Sequence, residues 1–169
     1  MPPANNITRL LDSRKIPYTA FETPAEKLGA AGTARILGVP LERVYKTIVV
    51  LREKPGKPIL AVVPGSAEVD LKLLAAALGE KKVRLPTEKE AEALTGLQAG
   101  GISPLALINR GFQTVIDASA QAYEQIHISG GQRGLNIRLP VSALASLVNA
   151  RFFKISQAAD SSAAASEPS

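Results

Sequence analysis

The chain has 169 residues, enough for one ordinary domain, and at 46% hydrophobic and 21% charged it can bury a core and lacks a disordered composition. Cysteine is absent and His127 is the lone histidine, which excludes disulfides, thiolate metal sites, cysteine nucleophiles and any multi-histidine metal cage. The net charge of +5 suits an anionic partner, RNA or DNA foremost, or equally a solvated basic surface, while absent tryptophan and 4% aromatics disfavour a base-stacking platform.

The first fifteen residues lack the basic stretch and apolar block of a signal peptide, and no run of 18 apolar residues follows; the expected setting is the cytoplasm, with no membrane. Ile7, Leu10 and Leu11 at helical spacing behind Asn5-Asn6 predict a first helix over residues 6–14, ended by Pro17. A short strand follows at 18–21, then a brief helix capped by Thr33 and stopped at Gly38. Two β-rich runs, 45–51 and 59–63, flank a Pro/Gly/Lys-rich turn and read as a hairpin. Asp70 caps a helix over 71–78 closed by Gly79, and Thr87 with Glu90 forms a capping box for a helix running to about Leu94. Residues 95–104, with three glycines and a proline, form a loop; strands follow at 114–117, 125–129 and 135–139, with a glycine-rich turn at 130–134 between the last two. A helix over 141–148 and a strand over 151–155 complete the domain.

This succession lacks the regular β-α alternation of a doubly wound sheet. The expected class is α+β: a curled mixed β-sheet forming a barrel-like core with helices packed outside. The domain spans residues 1–156, and the Ala/Ser-rich residues 157–169 read as a disordered tail.

Three segments could carry chemistry. Strand alternation puts Val44, Lys46, Ile48 and Val50 on one face, so Lys46 is the lone charge on an apolar face. It is either a rim lysine that snorkels or a cation aimed into a cleft at a carbonyl or phosphate. The Gly100-Gly101-Ile102-Ser103-Pro104 loop is either a plain turn or a cradle whose N–H groups converge on a ligand oxygen. Ser129-Gly130-Gly131-Gln132-Arg133-Gly134 is a hairpin turn with a basic tip. His127, opposite the flanking isoleucines, reads as a solvent-side or rim residue. The basic groups at 81–84 and 151–154 are solvated surface or phosphate contacts.

Together, Val44-Tyr45-Lys46-Thr47, the segment from Thr95-Gly96 to Gly100-Gly101-Ile102-Ser103-Pro104-Leu105, and Ser129 to Leu135 resemble the YbaK family, free-standing relatives of the editing domain inserted in bacterial prolyl-tRNA synthetases. The resemblance covers roughly residues 5–156. It implies a mixed barrel-like sheet and hydrolysis of the ester of a mischarged tRNA, typically cysteine on the proline tRNA, with relatives that remove alanine. No cofactor and no metal are implied; the partners are tRNA and, further, a prolyl-tRNA synthetase. On this resemblance Lys46 and Gly100 carry the reaction, with Pro104 closing the loop. They hold the 3′-terminal adenosine and carbonyl, the nucleophile being the substrate thiol or water. Gly101, Ile102, Ser103, Pro104, Leu97, Ser129, Gly130 and Asn136 form the substrate site. Leu97 stands where cysteine-editing members usually carry tyrosine, Asn136 where aspartate is frequent, and residues 29–32 lack an aromatic found in some members, differences that bear on the amino acid removed. The other readings are a non-catalytic module binding tRNA ends or nucleotides, and an interaction domain that has lost the family function.

Overall fold

A computed structural model describes residues 2–159. Helix α1 (Asn6–Ser13) starts at a reciprocal cap, in which the Asn5 side chain accepts from the Thr8 N–H at 3.0 Å and the Thr8 hydroxyl accepts from the Asn5 N–H at 2.9 Å. After strand β1 (Thr19–Glu22), helix α2 spans Gly29–Leu37. Thr33 is therefore inside this helix, not at its cap, and its hydroxyl donates to the Gly29 carbonyl at 2.9 Å.

The hairpin of β2 (Tyr45–Arg52) and β3 (Ile59–Pro64) is antiparallel, with Lys46 opposite Val63. Strand β4 (Ala67–Val69) leads to α3 (Leu71–Leu78), where the Asp70 side chain accepts from the Leu73 N–H at 3.0 Å and Gly79 takes the left-handed turn. The two-residue β5 (Val83–Arg84) precedes α4 (Glu88–Thr95), whose Thr87–Glu90 capping box is formed on both sides. Strands β6 (Gln113–Asp117), β7 (Gln125–Ser129) and β8 (Leu135–Pro140), helix α5 (Val141–Leu147) and strands β9 (Arg151–Phe153) and β10 (Ser156–Ala158) follow. Because β10 pairs with β4, Gln157 and Ala158 belong to the folded unit, two residues into the segment read as tail; residues 160–169 lie outside the described residues.

The fold is mixed α and β, but the strands do not close into a barrel. A five-stranded sheet runs β5-β2-β3-β6-β9, a three-stranded antiparallel sheet runs β1-β8-β7, and β10 pairs with β4. The first two sheets meet through one isolated bridge, Val44 to His127. β5 and β9, two and three residues long, end the large sheet before a continuous ladder to the small one can form.

Strand β3 is buried throughout and divides the core. On one side Tyr45, Val62 and Ile116 pack with Ile126, Ile128, Ile137 and Leu139 of the small sheet, Ile7 and Leu11 of α1 and Leu144 of α5. On the other, Val50, Ala61, Val63 and Val115 pack with Leu74 of α3 and Ile155. Each fully buried Leu or Ile contributes about 1.5–3 kcal/mol of transfer free energy.

Arg52, at the end of β2, ties three elements. It meets the Glu80 carboxylate at 2.9 Å, the Lys57 carbonyl at 3.0 Å and the Gln113 amide oxygen. The pair is largely out of water, at 15% and 10% side-chain exposure for Arg52 and Glu80. Arg52→Met, which strands Glu80, is expected to lose about 2–3 kcal/mol, a drop of roughly 4–12 °C in melting temperature by calorimetry. Adding Glu80→Met should restore most of it; an unchanged melting temperature for the single variant would refute the role.

Candidate active site

A cleft of about 370 Å³ opens where the two sheets meet. Its floor follows from the length of β5, which pairs with only Leu51 and Arg52 at the far end of β2. Between that pair and the bridge at Val44, the outer edge of β2 has no strand partner among the described residues. Side chains from both faces of the strand therefore border the opening, and Lys46, Thr47, Ile48 and Val49 all line it. The free edge also leaves backbone groups of β2 to be satisfied by solvent or ligand.

Lys46 is half-buried. Burial pushes its ammonium below the ordinary lysine value, and the charge of exposed Glu68 opposes the shift. No carboxylate lies within 4.0 Å of it among the described residues, so the charge stays available to an incoming anion or polarised carbonyl. Tyr45 also borders the cleft; its hydroxyl shares a hydrogen bond of 2.8 Å with Ser119, and burial pushes it up to about 12. It is a packed, protonated side chain and not a base at neutral pH.

The two glycine-rich segments form one wall. Ser129 Oγ donates to the Gly100 carbonyl at 3.1 Å, and Arg133 Nε donates to the Ala99 carbonyl at 2.7 Å. The approach is close enough to require glycine at 101, where a Cβ would sit 3.1 Å from Gln132 Cα. Gly100 itself has φ +90°, the left-handed region. The glycine N–H groups do not converge as a pair, because the Gly101 N–H donates to the Gln98 carbonyl at 2.8 Å. The N–H groups of Gly100 and Ile102, both cleft-lining residues, meet no protein acceptor among the described residues.

Of the residues singled out in the sequence, Lys46, Gly100, Ile102, Ser129 and Asn136 border the cleft, and five others stand behind it. Ser103 is fully buried and its Oγ accepts from the Leu105 N–H, while Pro104 begins a 3₁₀ turn, so both shape the loop from outside. Gly101 and Gly130 allow close packing, a Cβ at Gly130 falling 2.5 Å from Leu135 Cγ. Leu97 is partly buried and packs against Val49, Leu60 and Leu107 rather than lining the cleft directly.

His127 corrects the rim reading: it is 3% exposed. Its ring packs against Phe21, whose ring centroid lies 5.5 Å away, and its backbone bridges to Val44 at the sheet edge. Alternation identified the face but not what covers it. The cleft is also lined by Leu28, Gly29, Ala30 and Thr33 of the α2 region and by residues 85–88 at the start of α4, which periodicity did not mark. Lys27 and Glu88 join these two borders by a salt bridge at the mouth. The basic groups separate: 81–84 run directly into the 85–88 border, whereas Arg151 lies on β9 at the opposite edge of the large sheet, stacked 4.8 Å over Phe153.

No group of three or more His, Asp or Glu side chains placed to hold a metal occurs among the described residues, and no helix there is long and apolar enough to cross a membrane. The cleft thus offers a cation, unpaired N–H groups and small polar side chains, the equipment to bind and polarise an ester carbonyl.

Comparison with known proteins gives this geometry a family. Residues 25–147 match the aminoacyl-tRNA editing domain family. The chain is 40% identical over 152 residues to an Enterococcus faecalis protein, EbsC, named as a candidate Cys-tRNA(Pro)/Cys-tRNA(Cys) deacylase, covering 89% of this chain and 92% of the relative. Its fold is similar to that of a hypothetical protein, APE2540 (TM-score 0.82, 22% identity, 90% of this chain and 100% of the other). It is also similar to a crystal structure described as a candidate trans-editing enzyme for prolyl tRNA synthetase (TM-score 0.75, 23% identity, 92% and 99%). The chain belongs to the aminoacyl-tRNA editing domain family.

Proposed function

We propose that the protein is a trans-acting deacylase that hydrolyses the ester of a mischarged tRNA, with cysteine on the proline tRNA as the leading substrate and alanine as the alternative. The observation that carries this reading is Lys46, a half-buried cation without a carboxylate partner among the described residues, on an open strand edge beside the unpaired N–H groups of Gly100 and Ile102. The family match and the name of the Enterococcus faecalis relative support it.

Ester hydrolysis places negative charge on the carbonyl oxygen as the nucleophile adds. A fixed ammonium and preoriented N–H groups in a partly dry cleft stabilise that charge. The ribose oxygen of the terminal adenosine then leaves and takes up a proton. The attacking group is the substrate's own thiol or a bound water, so no protein nucleophile is needed. Asn136 and Ser129, on the small-sheet side, contact the aminoacyl end. Lys81, Lys82 and Arg84 lead from the mouth and suit phosphates of the acceptor end. So small a surface offers little for choosing one tRNA, and a prolyl-tRNA synthetase is proposed to assist.

The first test is hydrolysis of Cys-tRNA(Pro) and Ala-tRNA(Pro) under single-turnover conditions. The wild type is expected to cleave at least one, and Lys46→Ala to lose about 10²–10³-fold in rate. Binding without cleavage by the wild type would replace the enzyme by a binding module, and full activity in Lys46→Ala would remove the lysine from the mechanism. Lys46→Met relieves a buried charge and is expected to melt no lower than the wild type; a lower melting temperature would mark Lys46 as a structural residue.

The lowered lysine value gives a pH signature. Lys46 acts as the ammonium, so the enzymatic rate, after subtraction of spontaneous ester hydrolysis, falls as pH rises through a value below the ordinary lysine range. Any activity retained by Lys46→Arg should lack this alkaline limb, because guanidinium does not titrate there. A limb unchanged in Lys46→Arg would assign it to another group.

Replacing Lys81, Lys82 and Arg84 together by alanine should weaken tRNA binding and flatten its log–log salt dependence by about one unit per lost phosphate contact. Unchanged salt dependence would place the acceptor end elsewhere.

A further inference from the structure

We infer that His127 is a positioning residue that fixes the Asn136 carboxamide, turning its NH₂ to the cleft as a hydrogen-bond donor for an acceptor atom of the bound aminoacyl ester. The inference rests on the deacylase reading for its substrate and on the His127–Asn136 geometry for everything else.

Asn136 borders the cleft although it is only 5% exposed, so a small part of the side chain reaches the opening. Its Oδ1 lies 2.9 Å from His127 Nδ1. A carboxamide oxygen only accepts, so the ring nitrogen facing it carries the proton. With Oδ1 occupied behind the wall, the NH₂ is the end left for the cleft.

The surroundings hold this arrangement. The two strands set the spacing: His127 lies opposite Arg138, and Ser129 opposite Asn136, in the β7–β8 register. Phe21 packs on the imidazole at an interplanar angle of 42°. The charged groups acting on the ring are both cationic: Arg138, whose guanidinium stacks 5.5 Å over Phe21 and donates to Thr19 Oγ1, and Arg43, which donates to the Gln125 carbonyl. Burial and these two charges push the imidazole below its ordinary value against the Asn136 hydrogen bond, so it stays neutral at pH 7. A neutral ring with Nδ1 protonated holds a single tautomer. Asn136 is then presented with one orientation, where an isolated asparagine could flip its two ends.

The lone histidine makes the test direct. In histidine-labelled protein, long-range proton–nitrogen NMR at pH 7 should show Nδ1 protonated and Nε2 bare, and Asn136→Leu should abolish that preference. In single-turnover deacylation, His127→Leu should lower kcat/KM about tenfold, mainly through KM. His127→Asn, which places an amide N–H near the former Nδ1, should recover to within about threefold. An Nε2-protonated ring in the wild type, an Asn136→Leu spectrum with the tautomer unchanged, or a folded His127→Leu protein with wild-type kcat/KM would each overturn the inference. A wild type that hydrolyses no aminoacyl-tRNA would remove the deacylase reading while leaving the NMR result to decide the positioning role. If His127→Leu does not fold, the tautomer, its dependence on Asn136 and the His127→Asn kinetics decide it.

Discussion

The site depends on a strand that is not fully paired. Extending β5 by a few residues would satisfy the outer edge of β2 and fill the space the cleft occupies. As built, the ladder covers only Leu51 and Arg52, and the strand runs bare from there to the bridge at Val44. An open edge invites pairing with another chain. Here it is recessed between the α2 border and the 85–88 segment, and its cleft-facing side chains include a lysine. The recess that limits edge-to-edge association thus also holds the cation that lines the cleft.

The glycine segments show why a motif is best read as a contact. Taken alone, 100–104 and 130–134 are two turns. In the structure they are one body, with Ser129 and Arg133 holding the carbonyls of Gly100 and Ala99 and the Gln132 backbone filling the space a Cβ at residue 101 would take. Tying down the Ala99 carbonyl fixes the peptide plane that carries the Gly100 N–H, which like that of Ile102 meets no protein acceptor among the described residues. Gly101 serves the packing; Gly100 serves the opening. Such a preformed arrangement stabilises developing charge without reorganising during the reaction.

Local rules carried much of the fold. The caps at Asp70 and Thr87 are each set by a few neighbouring residues, and the β2–β3 hairpin by alternation around a Pro/Gly turn, so all were legible in the sequence. What was not legible is what depends on distant partners. β4 and β10 are three-residue strands that exist because they pair with each other across 86 intervening residues. Separation into distinct sheets follows from where short edge strands stop, which no period-two pattern encodes. Leu97 in the sequence fits a pocket or a core equally well, and only its distant neighbours Val49, Leu60 and Leu107 show where it packs. Lys46 was the clearest site signal because a lone charge on an apolar face conflicts with burial, and such conflicts concentrate at working sites.

His127 poses the same conflict more quietly. A buried imidazole flanked by two arginines is a poor source of stability, since it carries polar atoms into a region where an isoleucine would pack without hydrogen-bond demands. Its presence is accounted for if the gain lies in Asn136, the small-sheet carboxamide at the cleft. The site then divides by sheet. On the proposed function, the large sheet, through Lys46 and the β2 edge, would meet groups common to every aminoacyl ester, the carbonyl and the terminal adenosine. The small sheet, through Asn136 and Ser129, would meet the part that varies. The two sheets share the bridge between Val44 and His127 and a core in which Tyr45 and Val62 pack with Ile126 and Ile137, so on this proposal the amino-acid side changes by substitutions on the other face of β7 and β8, which carries Ser129 and Asn136, and those leave Lys46 in place.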